Sequence, residues 1–281
     1  MEFARFYAAF GGGVKHDGRG TSAGAARFPG RSVAQLQSPA MRAVRSAIVW
    51  AIILVLTVLF GLPGIFAALI PPRGDWFLRF ARGWARSVLA VAGISVRVLH
   101  GDRIERGRSF VVVANHESFC DILVLLANLP MQVRFLAKRS VFRVPVLGWS
   151  IAAAGFVPVD REDRSRGAAT VEAALRRLEG GRSLVIFPEE TRTPTGDLLP
   201  FKRGAAHLAL RSGLPILPVG LAGTYRVLPR GTLAISPGPV VMAVGDPIEV
   251  SGRSVRERDA VTRAVREEIE SLRAEARQVV A

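Results

Sequence analysis

The chain has 281 residues, 49% of them apolar, with one cysteine, and Lys plus Arg exceed Asp plus Glu by fifteen. That apolar content excludes a disordered chain, and the length suffices for one sizeable α/β domain with an appendage. The lone Cys120 excludes an internal disulfide and a cysteine-based structural zinc site, while a pI near 11.5 favours an anionic partner: nucleic acid, an anionic lipid surface or a phosphorylated substrate.

Residues 1–40 are rich in Gly, Ala, Ser and Arg without sustained periodicity and read as a flexible basic tail. Residues 46–72 carry no charge and are long enough to cross a bilayer. Within them Gly61, Pro63 and Gly64 predict a helix break. Arg42 and Arg45 precede the apolar run, and Arg73, Arg79, Arg82 and Arg86 follow it. Keeping both basic flanks on one face favours a re-entrant or interfacial helical hairpin over a simple span, so residues 41–92 are assigned as a membrane-associated helical segment. Trp76, Phe77, Phe80 and Trp84 recur at helical spacing with arginines between them, which suits either a helix at headgroup level or a core-facing aromatic stripe.

Residues 93–252 alternate strand and helix patterns, the signature of an α/β domain. Strands are predicted at 94–99, 110–114, 133–137, 183–187 and 214–219, and helices at 119–128, 168–179 and 205–212. Segments 232–236 and 239–244 look like a β-pair around Pro237-Gly238. Ser254 and Glu257 form a capping box opening a last amphipathic helix within 253–281; its apolar face, through Val261, Val265, Ile269, Leu272 and Val279, predicts structural packing.

The stretch that carries chemistry is 110–121. A short apolar run stops at His116, and Ser118 with Asp121 reads as a capping box for the next helix. A histidine in a strand-to-helix turn and an acid in the following first helical turn are close enough for the carboxylate to hold one ring nitrogen while the other faces a substrate. The plainer alternative leaves Asp121 as a cap and His116 as a turn residue. An imidazole of ordinary pKa about 6.5 is suited to take a proton from an alcohol attacking a thioester. Asp121 would then fix its tautomer, and no serine nucleophile is needed. Cys120, between Phe119 and Ile122, reads as packing. His16, His100 and His207 do not stand at ligand spacing to His116, so no metal site is expected.

Four blocks in order, Asn115-His116-Glu117-Ser118-Phe119-Cys120-Asp121, Gly155-Phe156-Val157-Pro158-Val159-Asp160-Arg161, Phe187-Pro188-Glu189-Glu190-Thr191-Arg192 and Leu217-Pro218-Val219, resemble the motif blocks of the PlsC-type glycerolipid acyltransferases. The resemblance covers residues 75–250. It implies a mixed central sheet flanked by helices, with an N-terminal membrane-associated helical hairpin. It implies transfer of an acyl group from acyl-CoA or acyl-carrier protein to the free hydroxyl of 1-acyl-sn-glycerol-3-phosphate, giving phosphatidic acid. A related acceptor, lyso-ornithine lipid or glycerol-3-phosphate, is the alternative.

By the same resemblance His116 and Asp121 are the catalytic pair. Arg161 and Arg192 hold the acceptor phosphate, with help from Lys202 and Lys138, and Thr191 binds substrate. Glu189 contacts the acceptor or holds Arg192, and backbone amides around Gly155 or the third block are candidates to face the oxyanion. No cofactor is implied beyond the thioester co-substrate. The implied partners are the lysophospholipid, the acyl carrier and an anionic membrane surface at the cytoplasmic face, with no nucleic acid. One departure stands out: Glu190 occupies a position where the family usually has glycine, so the turn there must be met another way.

Overall fold

The computed structural model describes residues 38–70, 75–159 and 167–281. Among these, the apolar runs form seven strands: β1 (Ile94–Leu99), β2 (Val111–Ala114), β3 (Val133–Lys138), β4 (Val157–Val159), β5 (Ser183–Ile186), β6 (Ile216–Ala222) and β7 (Gly238–Val244). They make one sheet in the order β1-β7-β6-β2-β5-β3-β4. Strands β6, β2, β5, β3 and β4 are parallel. β7 pairs antiparallel with β6 and parallel with β1, so the sheet is mixed. The carboxyl ends of the five parallel strands therefore share one edge.

Alternation along each strand splits the core. On β2, Val112 and Ala114 join an apolar cluster containing α2 (Phe77–Ala92) and α3 (Cys120–Asn128), through Leu78, Leu125 and Leu126. Val111 and Val113 face the other way, onto Leu208 and Ala209 of α6 (Gly204–Ser212). α5 (Gly167–Leu178) flanks the same layer. Each fully buried valine contributes about 1.5–3 kcal/mol of apolar burial, which is why a four-residue strand without solvent contact persists at the centre. After the short α7 (Thr224–Val227), the last helix, α8 (Arg258–Val280), lies on β6 and β7 with Val261, Val265, Ile269, Leu272 and Val279 buried, the face expected of it.

The expected break at Gly61–Gly64 does not occur. α1 (Pro39–Leu69) runs through Pro63 for 31 residues. Its partner in the N-terminal helical pair is α2, packed antiparallel: Trp84 Nε1 donates to Thr57 Oγ1 at 3.2 Å, and Phe77 lies against Gly64. Gly61 admits Val146, at the start of α4 (Leu147–Ala153), to a distance that a β-carbon would not allow. The outer face of α1, with Ile48, Val55, Leu59, Leu62 and Phe66, is exposed.

The aromatic helix resolves towards the core. Phe77, Leu78, Ala81 and Ala85 are buried, and Arg82 donates to the carbonyls of Leu129 and Met131 and Arg86 to that of Ala127. These arginines satisfy the free carbonyls at the end of α3 and oppose its dipole. Burial and the neighbouring Arg86 push the Arg82 pKa down. Trp76 and Arg79 stay at the surface, stacked at 4.1 Å.

The β-pair expected around Pro237-Gly238 is absent, because α1 takes up the polar groups of 232–236. Arg45 donates to the carbonyl of Ile235, Ser46 Oγ accepts from Ile235 N–H, and Trp50 donates to the carbonyl of Leu233. Only 238–244 is strand, and it pairs with β1 and β6.

Candidate active site

β2 ends at Ala114, and the chain turns sharply before α3. Asn115 fixes this turn: its side chain donates to the carbonyl of Leu221 (3.0 Å) and accepts from the Leu221 N–H (2.7 Å), clamping the strand end to β6. His116 then stacks on Phe187, ring centroids 4.0 Å apart. Its Nδ1 lies 2.8 Å from Oδ2 of Asp121, which is wholly buried. The same Oδ2 accepts the backbone N–H groups of Glu117 (2.7 Å) and Ser118 (2.8 Å). An oxygen already accepting two amides is a carboxylate acceptor, so Nδ1 carries the proton and the lone pair is on Nε2. Nε2 has no hydrogen-bond partner among the described residues and is not sealed from solvent.

The capping box expected of Ser118 and Asp121 is present in a shifted form. Asp121 accepts from Ser118 N–H as anticipated, but Ser118 Oγ accepts from Cys120 N–H (3.1 Å), and α3 opens at Cys120. One carboxylate thus caps the helix and orients the histidine. Its second oxygen, Oδ1, is buried without a partner among the described residues.

Two further carboxylates converge on the turn. Glu189 is 4% exposed and accepts from His116 N–H (2.7 Å) through Oε1 and from Leu199 N–H (2.9 Å) through Oε2. Burial outweighs those two amides and raises its pKa to about 7. Sequence reasoning gave it to the acceptor or to Arg192; the geometry engages both of its oxygens with backbone, orienting the histidine's own peptide. Glu117 was not singled out from sequence. It is 3% exposed and paired with Arg273 of α8 at 2.8 Å. Burial and the Asp121 charge push its pKa up, and Arg273 opposes both. Among the described residues no cluster of three or more His, Cys, Asp or Glu is suited to a metal ion.

The acyltransferase family profile matches residues 95–222. A chloroplastic 1-acyl-sn-glycerol-3-phosphate acyltransferase of Brassica napus is 37% identical over 49% of this chain and 40% of its own length, so the chain spans less than half of that relative. The 1-acyl-sn-glycerol-3-phosphate acyltransferase of Borreliella burgdorferi is 30% identical over 64% of this chain and 72% of its own. The chain belongs to the PlsC-type glycerolipid acyltransferase family. The crystal structure of the acyltransferase PlsC from Thermotoga maritima superposes with a TM-score of 0.73, at 26% identity, over 86% of this chain and 97% of that one.

The PlsC-type blocks fall unequally around the histidine. The third block leaves β5 at the same sheet edge as His116 and brings Glu189, Thr191 and Arg192 there. The Arg192 guanidinium lies 3.7 Å over the ring of Phe119, on the rim of the histidine turn. Lys202 returns beside this block, its N–H bonded to the carbonyl of Pro188 (2.8 Å) and its side chain exposed. Arg161 lies outside the described residues. Gly155 is a correction: it precedes β4, at the opposite edge from His116, and its N–H is bonded to the carbonyl of Ala152 (3.0 Å). It cannot face an oxyanion. In and just after the third block the amides of Glu190 and Thr193 are taken by the carbonyls of Phe187 and His116, whereas Glu189 N–H and Thr191 N–H have no partner among the described residues. Cys120 is buried, and burial followed by the Asp121 charge pushes its thiol pKa up, away from nucleophilic use.

Proposed function

We propose that this protein transfers an acyl group from acyl-CoA or acyl-carrier protein to the free hydroxyl of 1-acyl-sn-glycerol-3-phosphate, giving phosphatidic acid at the cytoplasmic face of a membrane. The observation that carries this reading is the His116 Nδ1–Asp121 Oδ2 contact of 2.8 Å, with Nε2 left open. In the proposed reaction Nε2 takes the acceptor's hydroxyl proton as the oxygen attacks the thioester carbonyl, and Asp121 stabilises the imidazolium. The tetrahedral intermediate collapses to ester and thiolate, and the imidazolium gives its proton to that thiolate, which leaves as the thiol. The buried, high-pKa Cys120 supports direct transfer without an acyl-enzyme.

The third-block amides are the proposed oxyanion donors, Thr191 N–H among them, since it has no partner among the described residues. The guanidinium of Arg192 suits a phosphate, with Arg161 and Lys202 in supporting roles. No cofactor is required. Membrane association is supported by α1, whose most apolar 18-residue window is only 17% buried. The helix also touches the domain along its length, through Arg45, Trp50 and Gly61, which favours an in-plane position with its outer face in one leaflet.

The test is CoA release with a panel of acceptors: lysophosphatidic acid, glycerol-3-phosphate and lyso-ornithine lipid. Lysophosphatidic acid is expected to give the highest rate, and His116→Ala should lower it by about 10²–10⁴-fold. An undiminished rate in that variant would reject the mechanism, and a preference for another panel member would reassign the acceptor.

A further inference from the structure

We infer that Arg273, on the C-terminal helix and outside all four motif blocks, is a positioning residue for the His116 turn. The inference rests on His116 being the base.

Two routes lead from its guanidinium to the histidine. The first runs through Glu117: Arg273 Nε donates to Glu117 Oε1 at 2.8 Å, with both side chains buried. Glu117 N–H in turn donates to Asp121 Oδ2, the oxygen that holds His116 Nδ1. The second runs through the loop after the third block. Arg273 Nη2 donates to the carbonyl of Gly196, which Arg277 Nη2 also reaches at 2.7 Å. Gly196 N–H donates to Thr193 Oγ1, and Thr193 N–H donates to the carbonyl of His116 at 3.1 Å. Both routes thus end on the one peptide that follows the histidine's Cα, the first at its Glu117 N–H and the second at its His116 carbonyl.

The electrostatics call for a cation at this point. Glu117, Asp121 and Glu189 are all buried around one imidazole. Arg273 is the guanidinium that opposes the raised pKa of both Glu117 and Glu189. Without it, Glu117 is a buried carboxylate whose remaining contacts are Thr224 Oγ1 and Tyr225 N–H, each at 3.4 Å. It must then swing out or take a proton, and its peptide turns with it. The chain is also built to bring Arg273 here. A β-carbon on Gly220 of β6 would lie 2.7 Å from the backbone nitrogen of Arg273 and 2.7 Å from Leu272 Cβ, so glycine lets α8 approach closely enough for the side chain to pass under the turn.

The test is steady-state CoA release with lysophosphatidic acid and acyl-CoA, each variant assayed below its own melting temperature. Arg273→Met is expected to lose about 10²-fold in kcat, as for a small misplacement of a reacting group, with both KM values within about twofold. Arg273→Lys, which keeps the charge, should recover at least about tenfold of that loss. Where Arg273→Met does not fold, Glu117→Gln/Arg273→Met removes both buried charges together; it should show the same kcat loss with unchanged KM. A folded variant with kcat within about threefold of wild type, or a loss confined to KM, overturns the inference alone. A wild type inactive with every acceptor of the panel overturns the proposed reaction and the inference with it.

Discussion

Glu190 has φ +57°, a left-handed backbone that a glycine would adopt without strain. The turn is needed because Glu190 N–H bonds back to the carbonyl of Phe187, sending Thr191 and Arg192 towards the histidine. Glu190→Gly should therefore stabilise the fold by about 1 kcal/mol and raise Tm by about 2–4 °C; an unchanged or lower Tm would mean that the exposed side chain makes up for the strain. Glu189 poses the opposite problem. Two N–H donors favour its ionised form, and burial disfavours it more, leaving a pKa of about 7 against an ordinary 4.5. Because the folded value lies above the unfolded one, its stabilising share is complete below pH 4.5 and is lost as pH rises towards 7. Glu189→Gln cannot titrate, and its amide offers a donor where the backbone presents two N–H groups, at a cost of about 1–3 kcal/mol. Melting curves from pH 5 to 8 should show wild type more stable at pH 5, with the gap closing as pH rises. A gap of constant size would show that Glu189 does not titrate in that window.

Elements differ in how much of their fate is local. His116 and Asp121 were legible because strand end, turn and cap lie within seven residues, and hydrogen bonding inside such a stretch follows from local geometry. The capping box at Ser254 and Glu257 was legible for the same reason, and both of its bonds are present. The Glu117–Arg273 pair was not, since the two residues stand 156 positions apart and meet only through the seat that Gly220 provides for α8. The helix break at Pro63 failed as an expectation because tertiary packing overrode it. α2 and α4 hold both sides of 57–64, through the Trp84–Thr57 bond, Phe77 on Gly64, and Ser150 Oγ donating to the carbonyl of Gly61. The strand expected at 232–236 failed because its backbone groups bond to α1 side chains, a contact that no local pattern announces. Gly155 was misplaced for a topological reason: a motif block names residues, and only the parallel register of β3 and β4 shows that this one lies at the far edge.

At the scale of the whole molecule, the net charge of +15 and the exposed face of α1 act on the same partner in different ways. Attraction between a basic protein and anionic headgroups is long-ranged and screened over about 8 Å at physiological ionic strength, whereas burial of apolar side chains in the acyl region does not weaken with salt. If α1 lies in one leaflet, the two contributions should separate. Val55 and Leu59 are 65% and 60% exposed and pack against nothing the fold requires, so Val55→Glu/Leu59→Glu should leave Tm in detergent unchanged. Wild type should stay on phosphatidylglycerol-containing vesicles in a flotation assay at both 50 mM and 500 mM salt. The double variant should float at the lower salt, held by charge, and be released at the higher. Release of wild type at 500 mM salt would reduce the membrane contact to electrostatics and remove α1 as the anchor. Retention of the double variant at both salts would move the anchor to another surface.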